Sequence, residues 1–119
     1  MPLSRDEILR AVDLPTEAVD VPEWGGTVLV RGLTAKERLD IARDITGPDG
    51  KVDHALTLDL QIVLPFKCMV DLDGKRLFDS PDDLRLLKNK SAAALERVFD
   101  VAQRLSGMSQ AAATSLKKD

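Results

Sequence analysis

The apolar residues in the first third of the chain follow two different periods. From Glu17 to Arg31, valines occupy every second position on both sides of Trp24-Gly25-Gly26: Val19, Val21, Val28 and Val30. This pattern is typical of a β-hairpin whose turn contains glycines. A two-stranded ribbon is marginally stable in water, so we expect a helix to cover its valine face and Trp24 to fold over the tip.

A helical period begins directly after the hairpin. Thr34-Ala35-Lys36-Glu37 forms a capping box, in which the hydroxyl and the carboxylate satisfy backbone N–H groups of the first turn. The pattern predicts a helix from about Ala35 to Ile45, with Leu39, Ala42 and Ile45 on its apolar side. The turn cluster at residues 47–50 ends it.

Three further helices are predicted around these elements. A capping box at Ser4 starts a short amphipathic helix from about Arg5 to Val12. Residues 53–70 are predicted to form a helix that kinks or breaks near Pro65, because proline lacks the N–H and clashes with the preceding turn. A short helix capped by Ser80 is expected to end at about residue 87.

The clearest helix lies near the end of the chain, between a serine cap at Ser91 and Gly107. Its apolar stripe consists of Leu95, Val98, Phe99, Ala102 and Leu105. On the opposite side, Asp100 and Arg104 are spaced for an i,i+4 ion pair. We therefore expect this helix to bury one side against the rest of the domain.

A second hairpin is predicted around Asp73-Gly74, because short apolar segments flank this dipeptide. Aspartate followed by glycine favours a type I′ turn. The predicted strands, residues 70–72 and 75–78, are short, so we expect this hairpin to be peripheral.

These elements predict an α+β fold that is mostly α-helical, with an N-terminal β-hairpin packed by about four helices and a second small hairpin near residues 70–78. With 119 residues, the chain has room for one ordinary domain. We expect that domain to span residues 1–108 and to be followed by a flexible tail over residues 109–119.

Composition limits the class of partner. The formal net charge is −3, and aromatic residues make up only 3% of the chain. A nucleic-acid-binding domain is typically basic and stacks bases on aromatic side chains, so binding to nucleic acid is not expected. No apolar run is long enough to cross a bilayer, so no contact with a membrane is expected either.

The residues offer little support for catalysis or for metal binding. His54 is the only histidine and Cys68 the only cysteine, so a zinc set built from several His and Cys residues is not expected within one chain. We expect His54 to face solvent rather than to act as a general base. Cys68, beside Met69, is expected to be a small buried thiol. The aspartates at residues 71–83 lack the spacing of a calcium loop and fit a turn and a helix N-terminus. We expect no enzymatic activity, no cofactor and no bound metal.

Two surfaces are candidates for binding a partner protein. Trp24 at the hairpin tip either covers the domain's own core or anchors a partner. The last helix also has apolar residues outside its buried stripe. Its outer edge around Ala93, Glu96 and Val101 is therefore the second candidate. If that edge is a surface, Val101→Asp should leave the fold intact.

Two segments of the chain resemble a known family. They are DLPTEAVDVPEWGGTVLVRGLTAKER at residues 13–38 and GKRLFDSPDDLRLLKNKSAAALERVFDVAQRLSGMS at residues 74–109. Both are similar to segments of the tail assembly chaperones of long-tailed bacteriophages and prophages. The shared features are PEWGG at a hairpin tip, a valine-rich strand ending in RGLT, a GKRLF hairpin and a terminal helix ending in RLSG.

The resemblance implies a non-enzymatic protein of the bacterial host cytoplasm. Such chaperones bind the tape measure protein, keep it soluble, help to recruit the major tail tube protein and are absent from the mature virion. Weak homo-oligomers, such as rings or short spirals, would give them multivalent contact with a long partner. Such chaperones are often made in two forms, the longer one by a programmed ribosomal frameshift. The adjacent lysines of Leu116-Lys117-Lys118-Asp119 are the kind of peptide that an adenine-rich slippery sequence encodes. The alternative is a small structural component of the virion, such as a tail-completion or neck protein.

Overall fold

A computed structural model describes residues 2–53 and 58–108 of the chain. Its elements, in order, are α1 (Arg5–Arg10), β1 (Thr16–Val21), a 3₁₀ turn (Pro22–Trp24), β2 (Gly26–Arg31), α2 (Ala35–Asp44), α3 (Leu60–Cys68), β3 (Met69–Val70), α4 (Pro81–Leu87) and α5 (Ala92–Leu105). The predicted α+β, mostly helical fold is confirmed. The predictions for His54 and for the tail at residues 109–119 lie outside the described residues.

The N-terminal hairpin is the centre of an antiparallel sheet with the order β1-β2-β3. Val19 lies directly opposite Val28, and the tip is the 3₁₀ turn closed by Gly25 in the left-handed region. Val19, Val21 and Val30 are buried. The predicted valine face is therefore confirmed, and α5 is the helix that packs across it.

Helix α5 contributes a second group of residues to the core. Ser91 caps its first turn by accepting a hydrogen bond from the Ala94 N–H, as predicted. The fully or nearly fully buried residues are Ala94, Leu95, Val98 and Ala102, and Phe99 and Leu105 pack beside them. After the helix, the N–H of Gly107 bonds to the carbonyl of Arg104, and the N–H of Met108 bonds to that of Gln103. This pair of bonds is a Schellman motif, which ends the helix as predicted.

Arg104 differs from its predicted pairing with Asp100. Its guanidinium contacts the Glu17 carboxylate of β1 at 2.6 Å. Glu17 stands opposite Val30, on the sheet face that α5 covers. The partner from a neighbouring element thus replaces the one from the same helix, and the contact joins α5 to the sheet.

A half-buried ion pair joins the end of β2 to the start of α2. Arg31 donates from its two terminal nitrogens to the two oxygens of Glu37, at 2.8 and 3.0 Å. Glu37 also accepts the Thr34 N–H, so the predicted capping box is confirmed. Burial alone would raise the pKa of the Glu37 carboxyl, but the hydrogen bonds and the charge of Arg31 outweigh it and lower this pKa.

The loop between β2 and α2 lies tightly against the end of α5. The Leu33 N–H donates to Ser106 Oγ at 3.0 Å, and the Gly32 N–H donates to the Pro15 carbonyl. A Cβ atom added at Gly32 would lie 2.6 Å from the Leu105 carbonyl oxygen. Only glycine therefore permits this distance between the loop and the helix.

Helix α3 does not break at Pro65. It continues to Cys68, and Pro65 is fully buried within it. The bond that proline cannot make would reach the carbonyl of Gln61, an exposed residue, and the buried ring gains packing in exchange.

The second hairpin is real, but two of its predicted properties are wrong. Only Gly74 has a positive φ in this turn, whereas a type I′ turn needs two such residues. Asp71 closes the turn by accepting the N–H groups of Asp73 and Lys75. The hairpin is also not peripheral, because its first strand is β3, which pairs with β2 and is buried.

The two remaining helices differ from expectation in their packing. In α2 the buried residue is Ile41, while Leu39 and Ala42 are exposed. Ile41 and the half-buried Ile45, one turn apart, face the start of α3 across a small pocket of about 130 Å³. Helix α1 has its predicted capping box but ends at Arg10, two residues earlier than predicted, and buries none of its residues.

Replacing Glu37 by Gln should lower the free energy of unfolding by about 2 kcal/mol at pH 7, because Arg31 loses a charged partner while the amide still caps the helix. The folded-state pKa of Glu37 is depressed, so its contribution is present above the unfolded value near 4.5 and is lost as the pH falls through the folded value. Between pH 7 and pH 4, the free energy of unfolding, measured with denaturant, should fall less in the Glu37→Gln variant than in the parent. An equal loss in both proteins would contradict this.

Replacing Gly32 by Ala should destabilise the protein by about 1–3 kcal/mol, because the new methyl group would overlap the Leu105 carbonyl. Gly26→Ala is a matched control, since a Cβ at Gly26 has no atom within 4 Å. Thermal unfolding of the two variants measures the difference. Equal melting temperatures would show that the loop can move away from α5 without loss.

Candidate partner-binding surfaces

The described residues do not form a metal-binding cluster. No group of three or more His, Cys, Asp or Glu residues within ranges 2–53 and 58–108 could hold a metal ion. Cys68 is fully buried, as predicted, and burial raises the pKa of its thiol to about 12. No helix in the same ranges is both long and apolar enough to span a bilayer. The surfaces described next are those that the sequence predicted as candidates for contact with a partner protein.

Trp24 lies half-buried at the hairpin tip, where it packs against the core and also lines an open pocket. This Trp24 pocket, of about 410 Å³, is formed by Glu23, Trp24, Phe78, Leu87 and Lys90. Arg97 of α5 holds Glu23 in place, with its Nε at 3.0 and 3.1 Å from the two carboxylate oxygens. Trp24 thus covers the domain's own core and still presents part of its ring at a concave surface.

A second pocket, the α5 pocket, lies where the start of α5 meets α3. Its volume is about 140 Å³, and its lining includes Leu58, Ile62, Lys90, Ala92, Leu95 and Glu96. Lys90 lines both this pocket and the Trp24 pocket. The two surfaces that the sequence suggested separately, the hairpin tip and the last helix, are therefore neighbours at the beginning of α5.

The three residues predicted on the outer edge of α5 do not share one environment. Ala93 and Glu96 are exposed, and Glu96 lines the α5 pocket. Val101 is half-buried and packs against the core. Val101 is therefore not a fully exposed position, and we expect Val101→Asp to destabilise the fold rather than to leave its stability unchanged. No contact in the structure tests whether Trp24, Ala93, Glu96 or Val101 binds a partner.

Sequence reasoning did not identify two other apolar surfaces. The first is the arm, residues 2–13, in which every residue is exposed and Leu3, Ile8, Leu9 and Val12 are 56–98% exposed. The second is the Leu72 groove, an open groove of about 560 Å³ along β2 and the second hairpin, with Leu29, Val70, Asp71, Leu72, Asp73 and Leu77 in its lining. The sequence predicted the arm's helix but carried no signal that its apolar residues would stay uncovered.

Comparison with known proteins shows that the fold of this chain is similar to that of a solved structure, while its sequence matches none of the families or curated proteins compared. No protein-family model matches the chain, and none of the curated proteins compared with it matches. Among solved structures, the bacteriophage HK97 tail assembly chaperone is similar, with a TM-score of 0.61 and 19% sequence identity. The match covers 84% of this chain and 94% of that one. The chain therefore has a fold like that of a phage tail assembly chaperone.

Replacing Val101 by Asp should destabilise the protein by about 1–3 kcal/mol, because a carboxylate would replace an apolar side chain that packs on the core. Ala93→Asp places the same charge on an exposed position in the first turn of the same helix, where it should change stability by less than about 0.5 kcal/mol. Urea denaturation of both variants compares them. Equal stability would place Val101 at the surface after all.

Proposed function

We propose that this protein is a tail assembly chaperone of a long-tailed bacteriophage or prophage. In this role it binds the tape measure protein, keeps it soluble and helps to recruit the major tail tube protein. The observation that carries the proposal is the fold shared with the HK97 tail assembly chaperone over most of both chains. The resemblance of residues 13–38 and 74–109 to the same class of protein supports the proposal independently of the fold.

The surfaces of the protein suit such a partner. A tape measure protein is long, helical and rich in apolar residues, so before its tube is built it exposes apolar seams that favour aggregation. The Trp24 pocket and the α5 pocket share Lys90, and each is lined by both apolar and charged residues. Apolar side chains projecting from a helix can enter such pockets.

Release must follow binding, because the chaperone is proposed to act in the host cytoplasm and to be absent from the finished virion. The two pockets measure about 140 and 410 Å³, so one copy has room for only a few side chains of its partner. Small interfaces are typically weak and reversible. Several weakly associating copies along one tape measure protein would raise the total affinity without making any single contact permanent.

Ala92→Glu tests this assignment. Ala92 is exposed and lines the α5 pocket, so a carboxylate there should oppose entry of apolar side chains while leaving the fold intact. Co-expression with the tape measure gene product of the same phage, followed by affinity capture, should recover at least about tenfold less tape measure protein with this variant. Ala42→Glu, on the exposed side of α2, is the matched control and should capture as the parent does.

Two outcomes would contradict the proposal. If the parent protein neither captures the tape measure protein nor increases its soluble yield, the chaperone function is wrong. If the protein is found as a stoichiometric component of purified phage particles, the alternative of a small structural component of the tail or neck is correct instead. Capture that is equal for Ala92→Glu and the parent would move the binding surface away from the α5 pocket.

A further inference from the structure

The arm is an apolar surface that no other part of ranges 2–53 and 58–108 covers. Arg5, Ile8 and Leu9 are spaced i, i+3 and i+4 along α1, so they lie on one side of the helix. Ile8 is 56% exposed and Leu9 is 66% exposed. A six-residue helix with exposed apolar residues gains little stability by itself, and packing against another surface is the usual source of helix stability.

The arm also carries a cation beside its apolar residues. Arg5 contacts the adjacent Asp6 at 3.2 Å, but both side chains are more than 75% exposed, so this contact is weak and leaves Arg5 available. The surface that would complement this side of α1 must therefore be apolar with an acidic edge.

The Leu72 groove has these two properties. Leu72 is 94% exposed and Leu77 is 48% exposed, and both lie beside the half-buried Leu29 of β2. Asp71 and Asp73 stand on the same groove. Asp71 is occupied by the backbone N–H groups of its own turn, whereas Asp73 is an exposed carboxylate at the edge.

We infer that the arm of one copy of this protein docks into the Leu72 groove of a second copy. Ile8 and Leu9 would bury against Leu72 and Leu77, and Arg5 would meet Asp73. The inference rests on the weak self-association included in the proposed function, and it specifies the surfaces that produce it. The occupant is a second copy because both complementary halves, the apolar arm with its cation and the apolar groove with its acid, belong to this one chain.

The geometry of this contact sets the type of assembly. The arm and the groove are different surfaces, so each copy can offer its arm to one neighbour and its groove to another. Such head-to-tail contacts generate rings when they close and open chains when they do not. A short helix in a groove buries much less than a standard interface of about 1,600 Å², so the association is weak and depends on concentration.

Sedimentation velocity of the purified protein alone measures this association without any tape measure protein. The parent should change from monomer to larger species over about a hundredfold range of concentration, as expected for a small interface. An arm variant, Ile8→Ser with Leu9→Ser, and a groove variant, Leu72→Ser, should each weaken self-association by at least about tenfold. Leu39 on α2 is 60% exposed, which is comparable to Ile8 and Leu9, so Leu39→Ser is the control and should associate as the parent does.

Mixing the two variants gives the sharpest result. The arm variant retains an intact groove and the groove variant an intact arm, so a mixture should form dimers but no larger species. Arg5→Asp and Asp73→Arg should each weaken association, and the double variant should restore it. A parent that stays monomeric at every concentration, or variants that associate like the parent, would overturn the inference.

This outcome is separate from that of the proposed function. A parent that captures the tape measure protein as a strict monomer would leave the chaperone function standing and refute the arm-to-groove contact. A parent that self-associates through the arm but captures no tape measure protein would support the arm-to-groove contact and refute the chaperone function. Circular dichroism and melting temperatures of all variants identify any that fail to fold, and the charge-swap pair then decides the question.

Discussion

The structure depends on the corner where β2 turns into α2 against the end of α5. The Arg31–Glu37 pair joins the end of β2 to the start of α2, and the Leu105 carbonyl of α5 lies close to Gly32 at the same corner. Hairpin, cap and final helix therefore meet through a few backbone groups, although these elements are distant in sequence. Because buried polar groups are costly when they lose their partners, this corner tolerates little change.

Local signals predicted most of the elements, and the reason is physical. A capping serine or threonine satisfies N–H groups within four residues, so Ser4, Thr34, Ser80 and Ser91 mark helix starts in almost any context. The valine alternation specified the hairpin register because a slip of one residue would expose the buried face. The stripe of α5 was equally clear, since its apolar side covers that face.

The errors concern choices that distant residues make. Arg104 pairs with Glu17 because the sheet brings that carboxylate within reach, which periodicity along a helix cannot show. Ile41 replaces Leu39 as the buried residue of α2 because α3 lies on that side. For the candidate surfaces, the sequence proposed Trp24 and Glu96 but did not show that Lys90 lines the pockets beside both of them. It also placed Val101 at the surface, although the residue is half-buried and packs on the core.

The burial of Cys68 gives the protein a built-in reporter of its own opening. The chain contains a single cysteine, and its thiol is shielded at the end of α3 with a pKa near 12, so almost no reactive thiolate exists in the folded state at neutral pH. A thiol reagent can therefore modify the protein only when α3 separates from the sheet or the whole domain unfolds. The rate of labelling then measures how often the core opens, with no added fluorophore or engineered residue.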